Sequence, residues 1–421
     1  MDTTTASDAP AADLADPRFW QLPAPDRAAA FAELRRLPGP VYFGERAAGG
    51  RSGGRGFHAL VRHADVVEAS RTPAVFLSGP GVTTPEPARW VRFLFGDSMV
   101  NLDDPRHAQL RRIVSRAFTP RLIARVEDDI REVAARLVDR VERERPEDFV
   151  TSVAAELPFQ VICNMMGIPE EPRRAILDQV NHASEHTGVA RPLRSRLRVP
   201  GRGLRALARM QGMVAHLGRE RRRRPTDDLV SALVTADVDG RRLTGRELGA
   251  FFSLLLVAGV ETTRNALAHG LHLLTAHPAQ RALLVGDLDR HLGGAVDEIV
   301  RHATPIIQFR RTLAVDHRLG GPDGPLLRAG EKVVLYFGSA NRDEAVFAEP
   351  DAFDITRSPN PHLGFGGGGP HYCLGAHLAR QEMKVLYREL FTRLPEARSV
   401  GEPELIPSSF DNRVRALRFA F

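Results

Sequence analysis

Apolar positions along the chain recur mainly at helical spacing. Phe31–Leu37 is short and amphipathic and stops at Pro38-Gly39-Pro40. Ala64–Ser70 predicts a second short helix. From Pro105 to Val141 apolar residues return every three or four positions, with a break at Pro120, so two consecutive helices are expected. Asp104-Pro105 starts the first of them well, an acid at the cap followed by a proline whose missing N–H costs nothing there. Further helices are predicted over Ala154–Met166, Leu229–Thr235, Leu248–Thr275, His291–His302 and His377–Leu394. Phe57–Val61, Val333–Tyr336 and the tail Val414–Phe421 read as strands. Two stretches fit neither period. Residues 79–100 are rich in Pro and Gly and then hold Trp90, Phe93 and Phe95, the pattern of a long binding loop; Val189–Gly203 interrupts a helical region. There is no regular strand–helix alternation, so the expectation is a mainly α fold with small β-sheets.

Composition narrows this. The chain has 421 residues, 43% of them hydrophobic, enough for a large core. No linker splits it, so residues 17–421 are expected to form a single catalytic domain after a disordered lead of residues 1–16. The longest apolar run, Phe251–Val260, is about half of the roughly 20 residues a membrane span needs. The N-terminus lacks a basic-then-apolar signal pattern, and a cytoplasmic protein without stable membrane insertion is expected. The formal charge is +6, carried almost wholly by Arg, since Lys332 and Lys384 are the only lysines. The run Arg221–Arg224 is followed at once by Asp227 and Asp228, with no aromatic residues interleaved for base stacking, so nucleic acid is not an expected partner.

Of the two cysteines, Cys163 and Cys373, the second sits in an unusual setting: Phe365-Gly-Gly-Gly-Gly-Pro-His371-Tyr-Cys373-Leu-Gly375-Ala-His377. A phosphate loop is formally present in Gly364-Phe-Gly366-Gly-Gly-Gly369, but Pro359 and Pro361 stand before it and Pro370 after it, where a strand and a helix are required. His362, His371, Cys373 and His377 match no common zinc spacing. Two readings remain open on these residues: a structural thiol in a glycine-rich turn, and a thiolate ligand of haem iron. For the second, glycines permit close approach to a flat macrocycle, and the following helix N-terminus favours an anionic sulfur.

The segment resembles the haem-binding loop of the cytochrome P450 family, Phe-x-x-Gly-x-x-x-Cys-x-Gly, with one departure: Phe365 stands eight residues before Cys373 instead of seven. Three distant motifs agree. Glu298-Ile-Val-Arg301 matches the family's Glu-x-x-Arg helix, and its i, i+3 spacing puts both side chains on one face. The Arg that usually completes that set is missing from Phe347–Phe353, and Arg357 is the expected substitute. Ala258-Gly259-Val260-Glu261-Thr262-Thr263, in the middle of the long apolar helix, resembles the family's oxygen-binding groove. His107 and Arg111 are i, i+4 on one helix and share a face.

The resemblance implies the cytochrome P450 fold, a triangular prism with haem between the long central helix and the helix after the Cys loop. It implies Cys373 as the iron ligand, Glu261 and Thr262 as the catalytic proton relay, and His107, Arg111, Arg311 and His371 as the residues that hold the haem propionates. The cofactor would be haem b, iron protoporphyrin IX. Electrons would come indirectly from NAD(P)H through a ferredoxin reductase and a ferredoxin, because no flavin domain is fused. Arg106, Arg112 and Arg116 would meet the acidic ferredoxin. The expected activity is insertion of one oxygen atom from O2 into a C–H bond of a hydrophobic small molecule. That molecule is a secondary-metabolite polyketide or macrolide, or a methyl-branched lipid or sterol. Substrate contacts are expected from residues 79–100 and 170–215, from Val257 and Ala258, from Pro305–Gln308 and from Ser408–Phe410. The alternatives are an atypical oxidation by the same family (ring or bridge formation, or peroxide-driven) and a non-enzymatic haem sensor.

Overall fold

The computed structural model describes residues 12–44, 56–84, 98–171, 173–177, 201–237, 240 and 242–421. Much of the expected loop over 79–100, and residues 189–200 of the second interruption, lie outside these.

The long apolar stretch forms the central helix, in three parts. Gly245–Leu255 opens on a capping box, in which Thr244 and Glu247 satisfy each other's backbone N–H groups. A π turn follows over Leu256–Val260, and regular helix resumes over Glu261–Ala276. The break expected at Pro120 is present. The helix Arg106–Ala117, called here the His107 helix, ends just before Pro120–Glu144, whose first turn is capped by Thr119 accepting from the Leu122 N–H. The helix Ala376–Arg393 follows Cys373, and Leu288–Ala303 carries the Glu298/Arg301 pair.

These helices share the largest core. Val126, Ile130, Val133 and Leu137 line one face of Pro120–Glu144, as i, i+3/i+4 spacing requires, and belong to the same cluster as Leu267, Leu271, Ile299, Leu386 and Leu390. The main sheet flanks it. Its strands are β1 (Val41–Phe43), β2 (Phe57–Leu60), β3 (Phe76–Leu77), β4 (Gln308–Leu313) and β7 (Lys332–Tyr336), in the order β1-β2-β7-β4-β3, while β5 (His317–Arg318) and β6 (Leu326–Leu327) make a separate small hairpin. β4 pairs antiparallel with β7, with Arg311 opposite Val333. That register brings Arg311 to the sheet edge shared with β3.

Two expectations need correction. The first concerns the lead. Ala12 and Leu14 are buried in the aromatic cluster around Trp20, and the Trp20 indole N–H donates to the Leu14 carbonyl at 3.1 Å. Among the described residues, folded structure therefore already includes residues 12–16 of the expected lead. The tail is likewise not one strand. Arg413–Ala416 pairs with Glu404–Ile406, whereas Phe419–Ala420 pairs with Arg398–Ser399. Between them the Leu417 N–H and C=O bond instead to Asp148 and the Phe149 N–H, which turns the chain from one partner to the other.

Candidate active site

The Cys373 loop is closed by its own backbone. The Cys373 N–H donates to the Phe365 carbonyl at 3.0 Å, the Tyr372 N–H to Gly369 at 3.2 Å, and the Gly366 N–H to Leu363 at 2.9 Å. Gly369 has φ +73, and a Cβ there would run into the Ser70 carbonyl at the end of helix His63–Arg71. The Phe365 ring is packed beneath the Arg380 guanidinium, 4.3 Å from its centre, and Arg380 is held by Asp297 at 2.7 Å. The eight-residue spacing is thus absorbed by a glycine turn, and Phe365 still meets the cysteine through its carbonyl.

Cys373 is accessible to solvent, yet surrounding protein pushes its thiol pKa up. The two facts agree if the sulfur opens into a recess inside the fold instead of onto the outer surface. The Gly375 N–H and the charges of Arg111 and Arg380 act the other way and favour the thiolate. Cys163, by contrast, is fully buried, with its thiol raised to about 12 by desolvation, and is a core residue.

A second opening lies in the central helix. Val257 is 58% exposed, although Leu256 and Val260 beside it are fully buried. At this point the backbone widens into the π turn, and the Thr262 hydroxyl donates to the Ala258 carbonyl at 2.6 Å. Such single-turn widenings are frequent at functional sites. Gly259 is needed for packing as well: a Cβ would come within 2.6 Å of Ile162 on the neighbouring helix. Glu261 points elsewhere. It is buried and pairs with Arg264 at 2.6 Å, with Arg413, itself bound to Asp411, 4.0 Å away.

His107, Arg111, Arg311 and His371 converge. The His107 and His371 rings lie 4.1 Å apart. Burial, reinforced by the charges of Arg311 and Arg111, pushes His371 down to about 3 and lowers His107 as well. Arg311 is buried and lowered to about 10 by desolvation; among the described residues it has no salt bridge, and its guanidinium donates to the Arg310 carbonyl. Among the described residues the buried Nδ1 of His107 has no hydrogen-bond partner, the Asp104 carboxylate lying 3.8 Å from it. A buried guanidinium beside imidazoles that can donate is costly to hold without an anion in contact, so this cluster suits an anionic group.

Glu298 and Arg301 form a fully buried bidentate pair, both bonds 2.8 Å. Arg301 also donates to the carbonyls of Asn341, Pro350 and Ala352. Arg357 reaches Glu298 at 3.3 Å, with Asn360 and the Asp354 N–H completing the carboxylate's shell. Arg357 therefore does stand in for the missing arginine. Of the three arginines expected to face a ferredoxin, Arg112 and Arg116 line an open groove of about 420 Å³ beside Arg111 and Pro370. Arg106 does not line it: its guanidinium is taken by Glu247.

Three residues of the site escaped the sequence reading. Asp103 and Ser78 bind each other and border His371. Glu382, on the helix after Cys373, is buried, hydrogen-bonded to Thr263, and raised to about 8 by desolvation. In sequence each looks like an ordinary loop or helix-surface residue.

A mainly helical fold with a closed cysteine loop, a widened central helix and a buried cationic cluster defines a haem-thiolate oxygenase. The sequence pattern of the cytochrome P450 family matches residues 87–394, and the chain belongs to that family and is a monooxygenase. It is 43% identical over 408 residues to a methyl-branched lipid omega-hydroxylase of Mycobacterium tuberculosis, covering 95% of this chain and 92% of that one. A steroid C26-monooxygenase of Mycolicibacterium smegmatis is 36% identical over 394 residues, covering 91% and 88%. The solved structure of a Mycobacterium marinum cytochrome P450 in complex with pseudoionone matches with a TM-score of 0.87 at 41% identity, covering 99% and 100%. The donor set fits the haem this family carries. An accessible thiol biased by backbone N–H and arginine suits iron, and a buried arginine that has no salt bridge among the described residues, beside the His107 and His371 imidazoles, suits the propionates. No helix among the described residues is long and apolar enough to cross a membrane.

Proposed function

We propose that this chain hydroxylates a saturated, methyl-branched or isoprenoid chain of a lipid or sterol, using O2 and electrons passed from NAD(P)H through a reductase and a ferredoxin. The observation that carries the substrate class is the likeness to an omega-hydroxylase of methyl-branched lipids across 95% of the chain. The apolar character of the candidate contacts supports it. Val257 and Ala258 are exposed on the central helix, and Phe309 and Phe410 meet edge to face at 5.6 Å on two strand-end segments that the Ile307–Phe410 backbone bond joins.

Haem b, when held by a cysteine thiolate, supplies the activation of dioxygen and the cleavage of its O–O bond. The protein's own residues act around it. Cys373 is the ligand, and Arg111 and Arg380 hold negative charge on its sulfur. Arg311, His107, Arg111 and His371 hold the propionates. Thr262 commits its proton to Ala258, so its oxygen accepts a hydrogen bond and orients a water in the widened turn. Glu261 is the proton source behind it, and it must part from Arg264 to serve. Arg112 and Arg116 on the groove face an acidic ferredoxin in the cytoplasm.

The test is turnover with ferredoxin, reductase and NADPH on a branched long-chain fatty acid, a sterol and a macrolide. Hydroxylation at the branched end of the first two is expected. Turnover of the macrolide alone would overturn the substrate class.

A further inference from the structure

The segment that leaves β3 and the segment that enters the His107 helix meet at one carboxylate. Asp103 Oδ1 accepts the Ser78 N–H at 2.7 Å, and Asp103 Oδ2 accepts the Gly79 N–H at 2.8 Å. The Asp103 carbonyl accepts the His107 N–H at 2.9 Å. Ser78 is fully buried, and its hydroxyl bonds His371 Nε2 at 3.2 Å. The next residues are fixed to the sheet: the Arg310 guanidinium donates to the carbonyls of Pro80 at 2.9 Å and Gly81 at 3.1 Å, and the Arg310 N–H donates to Val82 at 2.8 Å.

The charge makes this arrangement informative. Asp103 is near enough to Arg311 and His107 for its charge to oppose the lowering that burial imposes on each. A carboxylate beside residues that receive a cofactor's carboxylates opposes cofactor binding. A neutral side chain would hold a loop at lower cost to that binding. Here both oxygens are committed to consecutive backbone N–H groups, the stronger, charge-assisted kind of hydrogen bond.

We propose that Asp103 is a positioning residue. It fixes residues 78–82 to the propionate cluster, so that the start of the substrate-facing segment is aligned with the cofactor's edge, with Ser78 as the link to His371. This rests on the proposed roles of residues 79–100 in substrate contact and of His371 in propionate binding. A residue that only supported the fold would move haem retention and substrate affinity together. A positioning residue weakens substrate affinity without weakening haem retention.

The experiment uses the haem-loaded protein and two variants, Asp103→Asn and the milder Ser78→Ala. Three quantities are compared: retention of haem against an apoglobin trap, the Kd of a branched long-chain fatty acid from the ferric spin-state change, and hydrogen exchange over residues 78–82. In Asp103→Asn the Kd should rise about tenfold, the worth of one such bond, and exchange at Ser78 and Gly79 should accelerate, with haem retention no weaker than the parent's. Ser78→Ala should move Kd and exchange in the same direction by less. Parallel loss of haem and ligand in Ser78→Ala, or unchanged Kd and exchange in either variant, would overturn the inference. A wild-type protein that ignores the fatty acid would refute the substrate class instead. Exchange in Ser78→Ala then decides: faster over Gly79–Val82 supports the link, and unchanged overturns it.

Discussion

The Thr262 hydroxyl donates to the Ala258 carbonyl at 2.6 Å, one turn back, where the central helix widens to a π turn. The bond leaves the threonine oxygen as an acceptor beside Val257 and Ala258, where the middle of this buried helix is open. Thr262→Ala should therefore lower product formation by roughly 10²-fold, the low end for losing a positioned proton relay. NADPH oxidation should continue and yield peroxide. Thr262→Ser should restore most of the coupling. Equal coupling in the parent and the alanine variant, from product and peroxide measured together, would remove Thr262 from the relay.

Glu298 and Arg301 are fully buried, so neither charge has water to fall back on. Removing Arg301 breaks this pair and leaves Glu298 only the longer arginine contact, that to Arg357, at a cost of up to about 3–5 kcal/mol. Arg301→Ala is expected to fold poorly and hold little haem. Arg357→Ala should be milder, because the carboxylate keeps Arg301, Asn360 and the Asp354 N–H. Chemical denaturation of the two variants checks the order.

Arg311 is a buried cation with no salt bridge among the described residues. Arg311→Gln should weaken haem retention while stabilising the haem-free protein, or at least leaving it as stable, since an unpaired charge has gone. Haem transfer to an apoglobin and the thermal midpoint of the haem-free protein measure the two effects. A variant that loses stability without losing haem would place Arg311 in the fold alone.

Glu382 gives a pH dependence. Its pKa is raised from 4.5 to about 8, first by desolvation, with the Thr263 hydrogen bond opposing. Between those values the folded protein keeps a proton that the unfolded chain releases. Its contribution to stability is thus undiminished below pH 4.5, falls as pH rises towards about 8, and is constant beyond. Glu382→Gln cannot ionise, so it should lose this slope. The thermal midpoint of the variant should exceed the parent's at pH 8 by more than at pH 5. Parallel curves would contradict the assignment.

Much of this was legible in the sequence because the chemistry demands particular residues at fixed spacing. Glu298 and Arg301 must be three apart to pair, and Thr262 must follow Ala258 by one turn to bond it. The helices were legible too, although Leu248–Thr275 gave no sign of the π turn: periodicity does not register one inserted residue in a turn. What was missed depends on contacts between distant segments. Asp103 looks like half of an Asp-Asp pair before Pro105, and only folding brings Ser78 to it. Arg106 looks no different from Arg112 in sequence until folding places Glu247 beside it. The tail alternates like one strand but serves two partners, a choice made by Asp148 and Phe149 far away.

The central claim is that Cys373 is the thiolate ligand of haem iron. The most direct test is the absorption spectrum of the reduced carbon-monoxide complex, recorded for the protein and for Cys373→His. The parent should show the red-shifted band of a thiolate-ligated haem, and the variant should lose it for the imidazole-type band while still holding haem. An imidazole-type band in freshly purified, catalytically active parent protein, unchanged by the substitution, would contradict the assignment.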